Sequence, residues 1–290
     1  MKYLLINPKT NNQNSENAVE DYKKSLEEGS FESVDVTAES FDYNSFFKGL
    51  KEEDEAILCG GDGTINYLIN HVDEDAIKND LYLFADGTGN DFLNDVKKEG
   101  DSNLIKINQY LKNLPTVEAL DKDGNTTVMK FINGVGYGID GYCCEEADKI
   151  KQVSDKPINY TAIAIKGLLF KFKKREAKVS IDGGEVKEYK NVWLTPTMKG
   201  RFYGGGMMVA PSQDRLSEDK SLSVVVYHAK SKLKALMVFP SIFKGEHVKK
   251  TKVVEILKAE KTTAVGFNMP TALQVDGETV LNVVSYKVHY

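Results

Sequence analysis

Cysteine is scarce in this chain of 290 residues: Cys59 stands alone, and Cys143 and Cys144 are neighbours. That set offers neither a disulfide framework nor a zinc spacing, so a reducing, cytosolic setting is expected. Long apolar runs are also missing, none approaching the ~20 residues that cross a bilayer. The opening MKYLLINPKTNN has a short apolar run without a small-residue cleavage site, and reads as a first strand. No repeat or low-complexity linker divides the chain. Of the four histidines, His71, His228 and His289 show no partner pattern and read as surface or packing residues. His247, in KGEHVKK, reads as a loop residue near a turn.

What is present is ordinary for a soluble globular protein, with 41% hydrophobic and 28% charged residues and enough length for two domains. The net charge of -5 hides an asymmetry. Residues 1–123 carry 12 basic against 26 acidic groups, whereas residues 124–290 carry 26 against 17. One reading is two solvated surfaces; the other is a basic second half facing phosphate or an anionic membrane. A nucleic-acid partner is not expected.

The two halves follow different patterns. KYLLIN, EAILCG and LYLFA read as strands and SVDVTAE as extended, alternating with helical SENAVEDYKKSLEEG, YNSFFKGLK, TINYLINHV and GNDFLNDV. That rhythm predicts an α/β domain with a parallel sheet over residues 1–123. From about residue 116, DKDGNTT, IDGGEV and VDGETV set Asp-Gly turns between β-rich runs, which is hairpin chemistry. Two helices are expected there, around 142–153 and 158–173. An antiparallel β domain over 124–282 follows, with a last strand, about 283–290, that returns to the first domain.

The stretch GGDGT (60–64) joins the EAILCG strand to a helix expected to start near Thr64. Gly60, Gly61 and Gly63 let a phosphate approach backbone amides with no Cβ in the way, and the helix adds its positive end. Asp62 would repel a bare phosphate; it fits there if a divalent cation is shared, or if a proton is accepted during transfer. A tight turn with a capping Asp remains the bland alternative. A second turn of the same kind, ADGTGNDF (85–92), holds Gly87, Thr88, Gly89, Asn90 and Asp91. Two adjacent turns at the carboxyl ends of parallel strands form the crevice where such sheets bind ligands. Neither matches a P-loop or a dinucleotide fingerprint.

The combination of GGDGT with GTGNDF (87–92) resembles the diacylglycerol kinase catalytic-domain family, which includes bacterial lipid kinases and the sphingosine and ceramide kinases. NP (7–8), NGVGYGIDG (133–141), YGGGMMVAP (203–211) and QVDGE (274–278) extend the likeness in the family's order across most of the chain. The resemblance implies a phosphofructokinase- or NAD-kinase-like nucleotide-binding domain, a C-terminal β-sandwich, and an active site in the cleft between. It implies ATP and Mg²⁺ held by residues 60–64 and 87–91, with Asn7 beside the nucleotide. Asp140 matches the position near the acceptor hydroxyl proposed as base. Glu278 matches a carboxylate that returns to the nucleotide–metal site, and Asp219 a structural metal position. The pattern departs at NPKTN, where Asn-Pro-x-Ser-Gly is usual; at Ala85–Asp86, which replace a proline-containing stretch; and at Asp219-Lys220, where Asp-Gly is usual.

The expected activity is ATP-dependent phosphorylation of a membrane-borne alcohol such as diacylglycerol, by a cytoplasmic, peripherally associated enzyme. Asp62 and Asp140 are both candidate bases, Asp62 on the metal–phosphate side and Asp140 near the acceptor. Rival readings are a kinase of a soluble acceptor, disfavoured because no GSTAY-like stretch or Asn-Glu pair is present, and a binding protein that has kept the fold. In INYTAIAIKGLLFKFKKREAK (158–178) the apolar residues packing inward with lysines in solvent is one reading, and docking on an anionic surface the other. Gly204–Gly206 read as a sheet edge near the cleft or as a bulge. A homodimer stays open.

Overall fold

The computed structural model describes every residue except 9–12, 86–89, 99 and 155–157, and the side chains of 13–16, 85 and 161. Contacts group the chain into two units, Met1–Asn113 and Leu114–Tyr290.

The first unit holds strands β1 (Lys2–Ile6), β2 (Phe31–Asp35), β3 (Glu55–Gly60), β4 (Asp80–Ala85) and β5 (Leu104–Lys106). They lie in the order β2-β1-β3-β4-β5, four parallel and β5 antiparallel at the edge. Helices α1 (Gln13–Ser25), α2 (Tyr43–Gly49), α3 (Asp62–His71) and α4 (Asp91–Val96) connect them. Strand β3 is an apolar run because a central parallel strand is covered on both faces. Ala56, Ile57 and Leu58 are accordingly fully buried. Leu4, Ile57, Cys59 and Phe84 pack with Val19 and Tyr22 of α1 and with Leu26 just after it. Asp42 starts α2 by accepting the Ser45 amide at 2.8 Å. The strand–helix alternation matches the sequence pattern. Helix α3, though, begins at Asp62 with Gly61 as its N-cap, two residues ahead of the expected start.

The second unit comprises β6 (Thr116–Asp121), β7 (Thr126–Lys130), β8 (Gly134–Tyr137), β9 (Arg175–Ile181), β10 (Lys187–Leu194), β11 (Thr197–Met198), β12 (Phe202–Tyr203), β13 (Met207–Met208), β14 (Leu222–His228), β15 (Val254–Ala259), β16 (Thr262–Val275) and β17 (Glu278–His289). Its helices are α5 (Ile139–Lys151), α6 (Tyr160–Lys166) and α7 (Lys232–Val238). The main sheet is antiparallel, in the order β7-β6-β17-β16-β8-β11-β14-β10-β9, with β15 beside β14. Strand β16 closes it into a circuit. Thr263–Phe267 pair with β9, while Leu273–Val275 pair with β8, the register shifting between.

Period-two alternation gives this sheet two cores. Val192, Val224 and Val226 face one cluster with Val265, Leu273 and Tyr286. Trp193, Val225 and Tyr227 face the other, which is covered by α5, α6 and α7 through Ile139, Ala164, Ala235 and Val238.

Several expectations are corrected. Residue 123 lies in the turn between β6 and β7, and residues 114–123 group with the second unit because β6 pairs with β7 and β17. The last strand therefore returns to β6 within the second unit. The helix expected over 158–173 is α6 followed by a π-helical turn, Gly167–Lys171. Helix α7 has no counterpart in the sequence reading. His247 is no loop residue: it is 1% exposed, its Nε2 lies 2.9 Å from the Val209 carbonyl, and burial holds its pKa down. Gly204–Gly206, all at positive φ, form the tight loop of the β12–β13 hairpin. Among the described residues no helix is long and apolar enough to cross a membrane.

Candidate active site

In the parallel sheet Ile6, Cys59 and Phe84 stand in register, so Asn7, Gly60 and Ala85 mark one carboxyl edge. A Cβ on Gly60 would collide with the Thr64 side chain, which explains the glycine by the close return of α3 onto β3. Gly63 differs: a Cβ there would meet nothing within 4 Å. Among the described residues its bareness answers no packing need, and it leaves the first turn of α3 open to a ligand atom. Gly87, Thr88 and Gly89 lie outside the described residues.

Asp62 ties the two turns together. Its Oδ2 accepts the Asp91 amide at 2.7 Å and its Oδ1 the Phe92 amide at 2.9 Å. A carboxylate from α3 thus caps α4 across 29 residues of sequence, a role no local pattern announces. Asp91 is buried, and Asn90 is the N-cap of α4. The residues fit a magnesium nucleotide. Asp62 is an oxygen donor in the first turn of α3, flanked by Gly61 and Gly63, and oxygen donors are what magnesium takes. Mg²⁺ keeps several waters and takes one or two carboxylates plus phosphate oxygens, so it needs no protein cage. Among the described residues no group of three His, Cys, Asp or Glu is placed to hold a metal.

The second unit carries Asp140 in the first turn of α5, 6% exposed. The Tyr203 hydroxyl donates to its Oδ2 at 3.0 Å. Oδ1 is buried with no hydrogen-bond partner of ordinary geometry. Burial pushes this carboxyl up to about 6, the Gly141 amide and the Tyr203 hydroxyl offsetting part of the rise. A Cβ on Gly136 would run into that carboxylate and come within 2.8 Å of Gln274 Nε2. The NGVGYGIDG and YGGGMM stretches therefore meet at one buried acid, glycine making the room and tyrosine the hydrogen bond.

Two further expected residues belong to the second unit. Glu278 opens β17 and is exposed. Asp219 accepts the Ser221 amide at 3.0 Å and pairs with the Lys258 ammonium, which together hold its carboxyl well below the usual range. That carboxylate has a cation of its own.

The sequence reading missed the residue two before Glu278. Asp276, 8% exposed, accepts the amides of Ile132, Asn133 and Gly134 at 2.6, 2.8 and 2.9 Å. From the other side the buried Arg215 donates to the Ile132 carbonyl and, at 2.9 Å, to Asn133 Oδ1. Lys199 is buried nearby and donates to the Tyr290 hydroxyl at 3.0 Å; burial and Arg215 bring its pKa down to about 8. The signal available in sequence was an Asp before Gly in a hairpin turn, which reads as turn chemistry alone. Tyr203 could have been found as the side chain next to the glycine triplet.

Comparison with known proteins adds the following. Residues 2–119 match the diacylglycerol kinase catalytic domain, and residues 133–286 the YegS C-terminal NAD kinase beta sandwich-like domain. A protein named diacylglycerol kinase from Mycobacterium tuberculosis is 25% identical over 203 residues, covering 68% of this chain. The chain spans 62% of that relative's length. A crystal structure of a diacylglycerol kinase from Bacillus anthracis superposes with a TM-score of 0.60 at 18% identity, over 99% of this chain and 93% of that one. Yeast NADH kinase complexed with NADH superposes with a TM-score of 0.52 at 10% identity, over 100% and 80%. These two likenesses concern the fold.

Proposed function

Since this chain belongs to the diacylglycerol kinase catalytic-domain family, a family of lipid kinases, we propose that it moves the γ-phosphate of ATP onto the hydroxyl of a membrane lipid such as diacylglycerol. The observation that carries the proposal is the Asp62 clamp between the two turns at the carboxyl edge of the sheet. Phosphoryl transfer asks chiefly for positioning and charge neutralisation, and a braced pair of turns supplies the first.

In this reading Gly60–Thr64 and residues 87–91 hold the phosphates, with Asn7 beside the nucleotide. Bound Mg²⁺, facing Asp62, would neutralise charge on the phosphate oxygens. The acceptor oxygen forms its bond to the γ-phosphorus as the bond to the β-phosphate oxygen breaks and ADP leaves; the hydroxyl proton goes to a carboxylate. Asp140 suits that step better than Asp62. Its pKa lies near neutrality and one oxygen is spare, whereas both oxygens of Asp62 are engaged. Glu278 remains a candidate contributor at the metal. Three buried cysteines outside any disulfide suit the reducing, cytoplasmic setting of this reading.

Transfer from labelled ATP to a panel of lipid alcohols, resolved by thin-layer chromatography, tests the proposal. Labelled product is expected in the chloroform phase. Product confined to water would replace the reading with a soluble-acceptor kinase, and bound ATP without product with a binding protein.

A further inference from the structure

Two segments far apart in sequence meet on the second unit's outer surface. Ala164, Leu168 and Phe172, from α6 and the π turn, share one core cluster with Ala235, Val238, Phe239 and Ile242, from α7 and the turn after it. Hydrogen bonds stitch them together: Lys232 Nζ to the Leu169 carbonyl at 3.3 Å, and Lys174 Nζ to the Lys230 carbonyl at 2.7 Å. Having filled that core, the segments still show large apolar side chains to solvent. Phe170 is 74% exposed, Met237 67% and Leu233 66%, with Ile165 and Leu169 about two-fifths exposed.

The charge on the two segments themselves is of one sign, with Glu176 and Glu246 just beyond their ends. Residues 158–175 carry Lys166, Lys171, Lys173, Lys174 and Arg175, and residues 229–245 carry Lys230, Lys232, Lys234 and Lys244. Neither segment has a single Asp or Glu, although at the chain's own composition about five would be expected in that length. In a protein of net charge -5 this is a local reversal. Apolar side chains ringed by lysines are the pattern of a surface that lies in a lipid headgroup layer.

We propose that the face formed by α6, the π turn and α7 docks on an anionic lipid bilayer, Phe170, Leu233 and Met237 entering the interface while the lysines meet lipid phosphates. Charge complementarity selects this occupant. A second copy of the chain would set nine cations against nine, which like-charge repulsion opposes. A nucleic acid would satisfy the lysines and leave the apolar groups in water. The inference deepens the lipid-kinase reading, resting on it for the purpose of docking, but binding needs no turnover.

The test is co-sedimentation of the full chain with vesicles of phosphatidylcholine alone, or with about a third phosphatidylglycerol. Wild type should pellet with the anionic vesicles, and less so as salt is raised. The triple variant Phe170→Ser, Leu233→Ser, Met237→Ser and the reversal Lys171→Glu, Lys173→Glu, Lys234→Glu should each weaken partitioning at least about tenfold. All six positions are exposed, and an unchanged circular dichroism spectrum and melting temperature would show that the fold is kept. Equal pelleting of wild type and both variants overturns the proposal, as does equal binding to neutral vesicles. So does a wild-type dimer that the serine variant converts to monomer. Vesicle binding as expected without lipid phosphorylation would leave docking standing and remove the kinase reading. Unaltered phosphorylation of detergent-dispersed lipid by variants and wild type, without vesicle binding, would do the reverse.

Discussion

Asp62 in the first unit and Asp140 in the second are both carboxylates in the first turn of a helix, yet their surroundings set them to opposite tasks. Asp62 faces two backbone amides and gives both oxygens to them. Asp140 sits deeper, receives one phenol, and keeps an oxygen in reserve in a place that disfavours its charge. A carboxylate surrounded by donors is a brace; one deprived of them is poised to take a proton. The lesson is that the helical position says little, and the donors nearby decide.

Replacing Asp140 should give the largest effect. Asp140→Asn should lower phosphoryl transfer by roughly 10²–10⁴-fold, read as kcat with the fold intact. It should also stabilise the protein in a pH-dependent way. A pKa raised from 3.8 to about 6 means that the folded state resists ionisation. The penalty is absent below pH 3.8, where both states are protonated, and fully present above pH 6, at about 3 kcal/mol. Chemical denaturation should therefore find the Asn variant more stable than wild type at pH 8 and equal to it near pH 3.5. Equal stability at both would break the comparison. Wild-type activity should correspondingly rise with pH through about 6 and lose that limb in the variant.

Asp276 extends the bracing side of the contrast, with three amides in place of two. Asp276→Ala should cost about 3 kcal/mol of unfolding free energy, since buried amides would lose a charged acceptor. Asp62→Asn presents a donor to one of the α4 amides. Stability should drop by about 1–2 kcal/mol, and transfer by roughly 10²-fold as the turns lose alignment. Full activity after this change would remove Asp62 from the site. The smallest effect is expected of Tyr203→Phe. It deletes the hydroxyl that favours ionised Asp140, so the acid limb of the activity profile should move to higher pH with little change at its plateau.

Much of the first unit was legible because β1, β3 and β4 are apolar runs, the last two followed by glycines and the first by Asn7-Pro8, and these signals are local. The same locality explains the failures. The Asp62 bond to Asp91 and Phe92, and the Asp276 bond to residues 132–134, join segments 29 and 144 residues apart, so no spacing rule reaches them. Helix α7 escaped because seven residues, followed by Phe239-Pro240, are too few to show a clear 3.6-residue period. The boundary was set at 123 by a change of composition. Strand β6 belongs with the second unit through pairing with β17, a contact of high sequence separation.

Strand β16 has a consequence for the protein's birth. The circuit of the second unit stays open until residues 262–275 join β8 to β9, and β17 must then pair along both β16 and β6. Such pairings are slow to form because chain entropy is spent before contacts reward it. During synthesis the first unit, whose strands all lie before residue 107, can finish while the ribosome is still translating its neighbour. One edge each of β6, β8 and β9, by contrast, must wait unpaired until residues 262–289 emerge, which makes that interval the one in which a chaperone would matter.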